Sequence, residues 1–158
     1  MNFEEIENEL KAGKDIEMIL DKINWKEFER FAQEVFSING YKIRENFRFK
    51  TQNRFEIDIL GINDNFIFCV DCKQWRRGRN KYSGMKNAVK KQEKRVAELK
   101  KFLKNNIIAK KSLGIKKQKY YSLLVSLFEE NIIKENETYI VPSSKLNSFL
   151  LEVEKYLE

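Results

Sequence analysis

Residues Phe55–Trp75 read FEIDILGINDNFIFCVDCKQW. Two runs rich in Ile, Phe and Val, Phe55–Ile62 and Phe66–Lys73, flank Asn63-Asp64-Asn65, the composition of two strands joined by a tight turn. The first run carries Glu56 and Asp58, the second Asp71 and Lys73. Side chains alternate along a strand, so period two puts Asp71 and Lys73 on one face, and likewise Glu56 and Asp58. Ionised groups in strands this apolar are costly unless they pair or take a cation. Carboxylates converging with a lysine suit a divalent ion such as Mg2+ or Mn2+, which keeps open positions for water and phosphate oxygens. An Asp58–Lys73 or Asp71–Lys73 ion pair at a sheet edge uses the same residues without a metal and is the commoner arrangement.

Upstream of this hairpin, Tyr41–Phe49 reads as a further strand, completing an antiparallel meander. Before it, Asn24 can cap a helix with Glu27 three residues on, and Trp25, Phe28, Phe31, Ala32, Val35 and Phe36 recur at helical spacing up to Gly40. Two short helical pieces, Phe3–Leu10 and Ile16–Leu20, come first, separated by Gly13. Downstream, Ser83 can cap a helix over Gly84–Lys104, whose apolar stripe uses Met85, Ala88, Val89, Val96, Leu99 and Leu103, with Gln92 inside it. Tyr120–Phe128 and Thr138–Val141 read as strands, and Ser143–Leu157 as a closing helix. The order α-β-β-β-α-β-β-α implies an α/β layered domain with a mixed sheet.

Composition narrows the chemistry. The 158 residues include one Pro and six Gly, with 42% apolar and 35% charged side chains, as expected of one globular domain. No run approaches the roughly 20 uncharged apolar residues of a membrane helix, and Met1–Asp15 is studded with Glu and Lys, so a soluble, cytoplasmic protein is expected. Histidine is absent, which removes Ser-His and Cys-His catalysis and imidazole bases. Cys69 and Cys72 have C-x-x-C spacing, but residues three apart on a strand point to opposite faces, so packing cysteines are expected rather than a redox or zinc pair.

Charge is concentrated. The net +7 conceals a stretch, Lys73–Lys119, with 18 Lys and Arg against Glu93 and Glu98, while the remainder is net negative. Such a field attracts polyanions, nucleic acid above all and an anionic membrane surface second; a solvated helix face is the plain alternative.

An acid on a helix, a Gly turn, a strand, an acid on a hairpin and then Asp-x-Lys together resemble the PD-(D/E)XK nuclease superfamily. Within it the chain looks closest to archaeal Holliday-junction resolvases and to the catalytic domain of Mrr-type restriction enzymes. The resemblance covers about Trp25–Leu103 and weakly the remaining strands. It implies a three-layer restriction-endonuclease-like fold, a central mixed β-sheet flanked by helices, over residues 25–158, with residues 1–24 as an N-terminal helical extension. Phe28-Glu29 resembles the family's helix acid, Gly40-Tyr41 its helix exit, Asp58 its hairpin aspartate and Val70-Asp71-Cys72-Lys73 its hydrophobic-acid-x-Lys strand. The resemblance thus implies Asp58 and Asp71 as metal ligands, the Cys72 carbonyl as a further ligand, Lys73 as the water-orienting group and Glu29 as an outer ligand. Ile57 replaces the motif's proline, and Asp71 stands where Glu is commoner.

Glu34 and Glu56 are rival acids, Glu34 pointing to a different helix face from Glu29. Gln92 either reaches the scissile phosphate or, the preferred reading, bonds to backbone at the stripe edge. Arg76, Arg77, Arg79 and Lys81 are expected to clamp phosphates, with Trp75 stacking on a base or packing on the core. Lys86, Lys90, Lys94 and Lys101 extend the electrostatic track. The expectation is a Mg2+-dependent (or Mn2+-dependent) deoxyribonuclease that binds DNA with weak sequence preference. A junction resolvase active in recombination or repair would be a homodimer; a restriction-type enzyme, an end-processing exonuclease and a non-catalytic DNA-binding module remain open.

Overall fold

A computed structural model describes residues 3–73, 81–127 and 131–157. The chain begins with α1 (Phe3–Lys11), α2 (Ile16–Asp21) and α3 (Trp25–Ile38), followed by β1 (Lys42–Lys50), β2 (Arg54–Ile62) and β3 (Phe66–Lys73). Next come α4 (Lys81–Lys104), α5 (Ile107–Ser112), β4 (Lys119–Ser126), β5 (Ile133–Glu135) and β6 (Thr138–Pro142). A 3-10 turn (Ser143–Lys145), α6 (Leu146–Leu151) and α7 (Val153–Tyr156) close the chain.

The strands form one mixed sheet in the order β1-β2-β3-β4-β6-β5. The first three are the antiparallel meander read from the sequence, while β4 and β6 run parallel to β3 and short β5 folds back antiparallel on the edge. Each face is covered. On one side Phe28, Phe31 and Phe36 of α3 and Phe149 of α6 meet Ile59, Phe68, Val70 and Leu123. On the other, Val96, Leu99 and Leu103 of α4 pack on Leu60, Ile62, Ile67 and Cys69, and Met85, Ala88 and Val89 cover Leu124 and Ile140. Full burial of each such side chain contributes about 1.5–3 kcal/mol, so the two apolar helix stripes fix the sheet between them. The result is the expected three-layer α/β architecture. Ile6, Ile19, Leu20 and Ile23, from the first 24 residues, lie in the α3-side core. No helix among the described residues is long and apolar enough to cross a membrane.

Asn24 caps α3, its Oδ1 accepting from the Glu27 amide at 2.9 Å. Trp25, assigned to the apolar stripe from its spacing, is instead 57% exposed, with the Lys26 ammonium over its ring. Helix α4 starts at Lys81, so Ser83 lies in its first turn and not at a cap; nothing in Lys81-Tyr82 opposes helix. Two further elements, α5 and β5, lie between those expected from the sequence. Helix α5 exposes Ile107 and Ile108 and so shows no amphipathic stripe, although Asn106 caps it (Oδ1 to the Ala109 amide, 3.0 Å) and Gly114, at φ +70°, stops it. Strand β5 is three residues long and turns into β6 through Asn136, at φ 55°. The closing helix breaks at Glu152, whose φ of −115° and ψ of 32° leave the helical region.

Candidate active site

The β2–β3 ladder pairs Ile62 with Ile67, Gly61 with Phe68, Leu60 with Cys69 and Ile59 with Val70, and there it ends. The next facing positions in this register are Asp58 and Asp71. Beyond Val70 the two strands part: β3 continues beside β4 to Lys73, and the outer half of β2 continues beside β1 alone. The two aspartates therefore stand in the mouth of a fork, on one face because facing residues of an antiparallel pair share a face.

Strand β2 is also broken in its alternation at this point. Ile59 packs on the α3 side, yet Ile57, two residues away, packs on the α4 side. Asn46 of β1, opposite Asp58 in register, has φ 49°, a left-handed conformation that bends the hairpin. Period two thus does not carry from Asp58 to Glu56, contrary to the sequence reading. Glu56 pairs instead with Arg48 at 3.0 Å on the exposed side of the hairpin.

Asp71 is 5% exposed. Its Oδ2 lies 3.2 Å from the Lys73 ammonium and 3.8 Å from the Arg95 guanidinium, but it accepts no hydrogen bond. The Asp58 carboxyl is pushed up to about 8, first by burial, then by its close neighbour Asp71 and by Glu29, against the pull of Arg95. The half-buried Glu29 carboxyl is raised by burial first and by Asp71 next, so α3 brings it within electrostatic reach of the pair. Glu34 is exposed. Cys72 sits between Asp71 and Lys73, its thiol pushed well up by burial and then by the surrounding carboxylates. Cys69 packs on the opposite face of β3, and both cysteines are unpaired thiols.

Gln92 is fully buried and its Nε2 donates to the Cys69 carbonyl at 2.9 Å, the backbone bond preferred for it from sequence. Its Oε1 in turn accepts from Arg95 at 3.0 Å. Arg95 was not singled out in the sequence. Its signal was there in part: a cation three residues after a buried glutamine, beside the stripe of Ala88, Val96 and Leu99.

Of the expected phosphate contacts, Arg76, Arg77 and Arg79, together with Gln74 and Trp75, lie outside the described residues, and Lys81 opens α4. Lys86, Lys90 and Lys94 are exposed on α4. At about 100° per residue, Lys91 is about 40° round the helix from Arg95, Lys94 about 100°, Lys90 about 140° and Lys86 about 180°. Lys86 and Lys90 thus flank the β5–β6 side with Glu93, which accepts from Thr138 Oγ1 and the Glu137 amide. Of these four, Lys91 and Lys94 lie nearer Arg95 round the helix.

Among the described residues no three His, Cys, Asp or Glu side chains converge on one metal position. Two carboxylates, a main-chain carbonyl and water nevertheless match the way Mg2+ is bound, through one or two carboxylates with several waters retained. The buried Asp71 Oδ2, lacking a hydrogen bond, and the raised carboxyl of its neighbour are what such a cation would satisfy.

A bent antiparallel hairpin, an acid-acid-lysine set at its fork and helical layers on both faces define the restriction-endonuclease-like class, the PD-(D/E)XK fold. Within that class the chain belongs to the nuclease-related domain (NERD) family, which it matches over residues 24–127. An uncharacterized protein of Archaeoglobus fulgidus is 23% identical over 136 residues, 85% of this chain and 95% of that protein. The crystal structure of protein VC1899 from Vibrio cholerae superposes with a TM-score of 0.42 and 11% identity over 84% of this chain and 34% of that one, so this chain spans roughly a third of its length. The family match over residues 24–127 bears out the superfamily resemblance read from the motifs.

Proposed function

We propose that the protein is a metal-dependent DNA nuclease that hydrolyses phosphodiester bonds, with Asp58, Asp71 and the Cys72 carbonyl holding Mg2+ or Mn2+. The observation that carries this reading is the convergence of Asp58 and Asp71 where β2 and β3 part, with the Lys73 ammonium 3.2 Å from Asp71. When bound, the cation supplies Lewis acidity, offsetting charge on the phosphate and making a water easier to deprotonate. Under this reading Lys73, 36% exposed along its side chain and in contact with Asp71, holds or deprotonates that water and touches the phosphate. Glu29, within electrostatic reach of the pair, serves as the outer acid. The basic surface draws in the DNA backbone, and its contacts set affinity and register, not sequence choice.

An endonuclease fits better than a pure binding module, because a binding surface gains nothing from burying a carboxylate whose oxygen lacks a hydrogen bond. Junction resolution adds the requirement of two such sites and so of a homodimer. The test is cleavage of supercoiled and linear duplex, single-stranded DNA, RNA and a four-way junction, with Mg2+, Mn2+ or EDTA. Wild type should cut DNA only with the divalent ion, and Asp71→Ala and Asp58→Ala should lose at least about 10³-fold in rate while remaining folded. Cleavage by Asp71→Ala at the wild-type rate would remove the assigned site.

A further inference from the structure

We propose that Arg95 is a phosphate-binding residue held in reserve: Asp71 occupies it until a divalent cation takes that carboxylate, and its guanidinium then turns to the DNA phosphate. The inference rests on the nuclease reading and adds to it a coupling between cation and DNA. Three observations carry it.

The first is the anchor. Arg95 Nη1 donates to Gln92 Oε1 at 3.0 Å, and Gln92, 1% exposed, is itself fixed by its 2.9 Å bond to the Cys69 carbonyl of β3. The guanidinium is thus tied to the strand that bears Asp71, two residues upstream of it. The second is the incomplete contact. Arg95 approaches Asp71 Oδ2 only to 3.8 Å, beyond hydrogen-bond range, whereas an arginine serving simply as the counter-ion of a buried carboxylate frequently closes to a bidentate fork. The third is access. The Arg95 side chain is 28% exposed while its Asp71 partner is 7% exposed, so solvent reaches the arginine where it hardly reaches the acid.

A guanidinium has five donors and keeps its charge at any working pH. One donor is committed to Gln92, which leaves a planar group able to offer paired N–H bonds to two phosphate oxygens. Lys73 reaches the same carboxylate from β3 itself, so Asp71 keeps a positive neighbour after Arg95 leaves. A cation on Asp71 repels the guanidinium and releases it, so DNA and cation must each strengthen the binding of the other.

The experiment measures a labelled short duplex by fluorescence anisotropy, with and without Ca2+, for wild type, Arg95→Ala and Arg95→Lys, and measures Ca2+ affinity of each protein without DNA by calorimetry. Wild type should bind duplex more tightly with Ca2+. Arg95→Ala should lose about tenfold of that gain, the size of a charge-assisted contact, yet match wild type within about twofold when Ca2+ is absent. Its own Ca2+ affinity should not weaken. Arg95→Lys, which keeps charge without the fork, should recover about a third of the loss or less. An unchanged Ca2+-dependent gain in Arg95→Ala overturns the inference, and so does weaker Ca2+ binding, which would make Arg95 a prop for the carboxylates. Wild type that binds no divalent cation takes the nuclease reading down as well. Wild type that cuts DNA, alongside an Arg95→Ala protein with an intact gain, leaves that reading standing and removes only this one.

Discussion

Asp58 and Asp71 face each other one step beyond the last paired residues of the β2–β3 ladder, Ile59 and Val70, at the point where the strands separate. A sheet interior would bury both carboxylates under helix α4, and a hairpin end would leave both in water. The fork does neither. It holds the pair in low dielectric, where the charge of Asp71 raises the cost of ionising Asp58. Several measurable consequences come from that placement.

The first concerns pH. The Asp58 carboxyl, ordinarily at 3.8, is pushed up to about 8, chiefly by burial and then by Asp71. Between these values the folded protein holds a proton that the unfolded chain has released, so metal-free stability should fall as pH rises from about 4 to about 8 and then level. Asp58→Asn should flatten that slope. A divalent cation must displace the same proton, so Mn2+ affinity should climb by up to about tenfold per pH unit below pH 8 in wild type. Manganese titrations followed by electron paramagnetic resonance at several pH values check this; a flat profile refutes it.

Lys73 offers a second test. Its ammonium contacts Asp71, yet its side chain is partly exposed, so removing it costs little packing. Lys73→Ala should lower kcat by about 10²–10⁴-fold, the range of a lost acid–base group, with duplex affinity within about threefold of wild type. A loss confined to KM would instead make Lys73 a ground-state phosphate contact.

Stability of the site depends on a close approach behind it. A Cβ added at Gly61 would lie 2.8 Å from Phe36 Cδ1. The Phe36 ring cannot move away, because Tyr41 and Phe68 pack against it with centroids at 5.4 and 5.8 Å. Gly61→Ala should therefore destabilise the protein by about 1–3 kcal/mol in urea unfolding, an overpacking cost, without changing the residues at the fork. A neutral result would show that β2 shifts there without cost.

These features differ in how far the sequence exposed them. The Asp71–Lys73 contact was legible, since two residues apart on one strand share a face whatever surrounds them. The break at Asp58 was not: it needs Asn46, on another strand, in a left-handed conformation, and asparagine adopts that only in a minority of its positions. Arg95 was hidden by abundance. On a helix with so many Lys and Arg, only the path of β3 beneath it separates the cation that meets Asp71 from those that meet water. The three layers followed directly from the stripes of α3 and α4, whereas α5 and β5 lack a periodic apolar signal and are held by an asparagine cap and by antiparallel pairing with β6 respectively.

Helix α4 also separates two kinds of lysine that charge counting treats alike. Lys91 and Lys94 stand on the side of α4 nearer Arg95, while Lys86 and Lys90 flank the β5–β6 hairpin and lie in a depression with Glu93 and Glu135, whose charge offsets theirs. If DNA crosses the fork, its backbone meets the first pair. Charge reversal of Lys91 or Lys94 to Glu should then weaken duplex binding by about tenfold near physiological salt, and Lys86→Glu or Lys90→Glu by no more than about twofold. The wild-type plot of log affinity against log salt should have a slope of about −5 to −7, and Lys91→Ala should make it shallower by about one, the loss of a single phosphate contact. Equal effects from all four lysines would mean that the helix acts as a diffuse field and that DNA takes no fixed path over the fork.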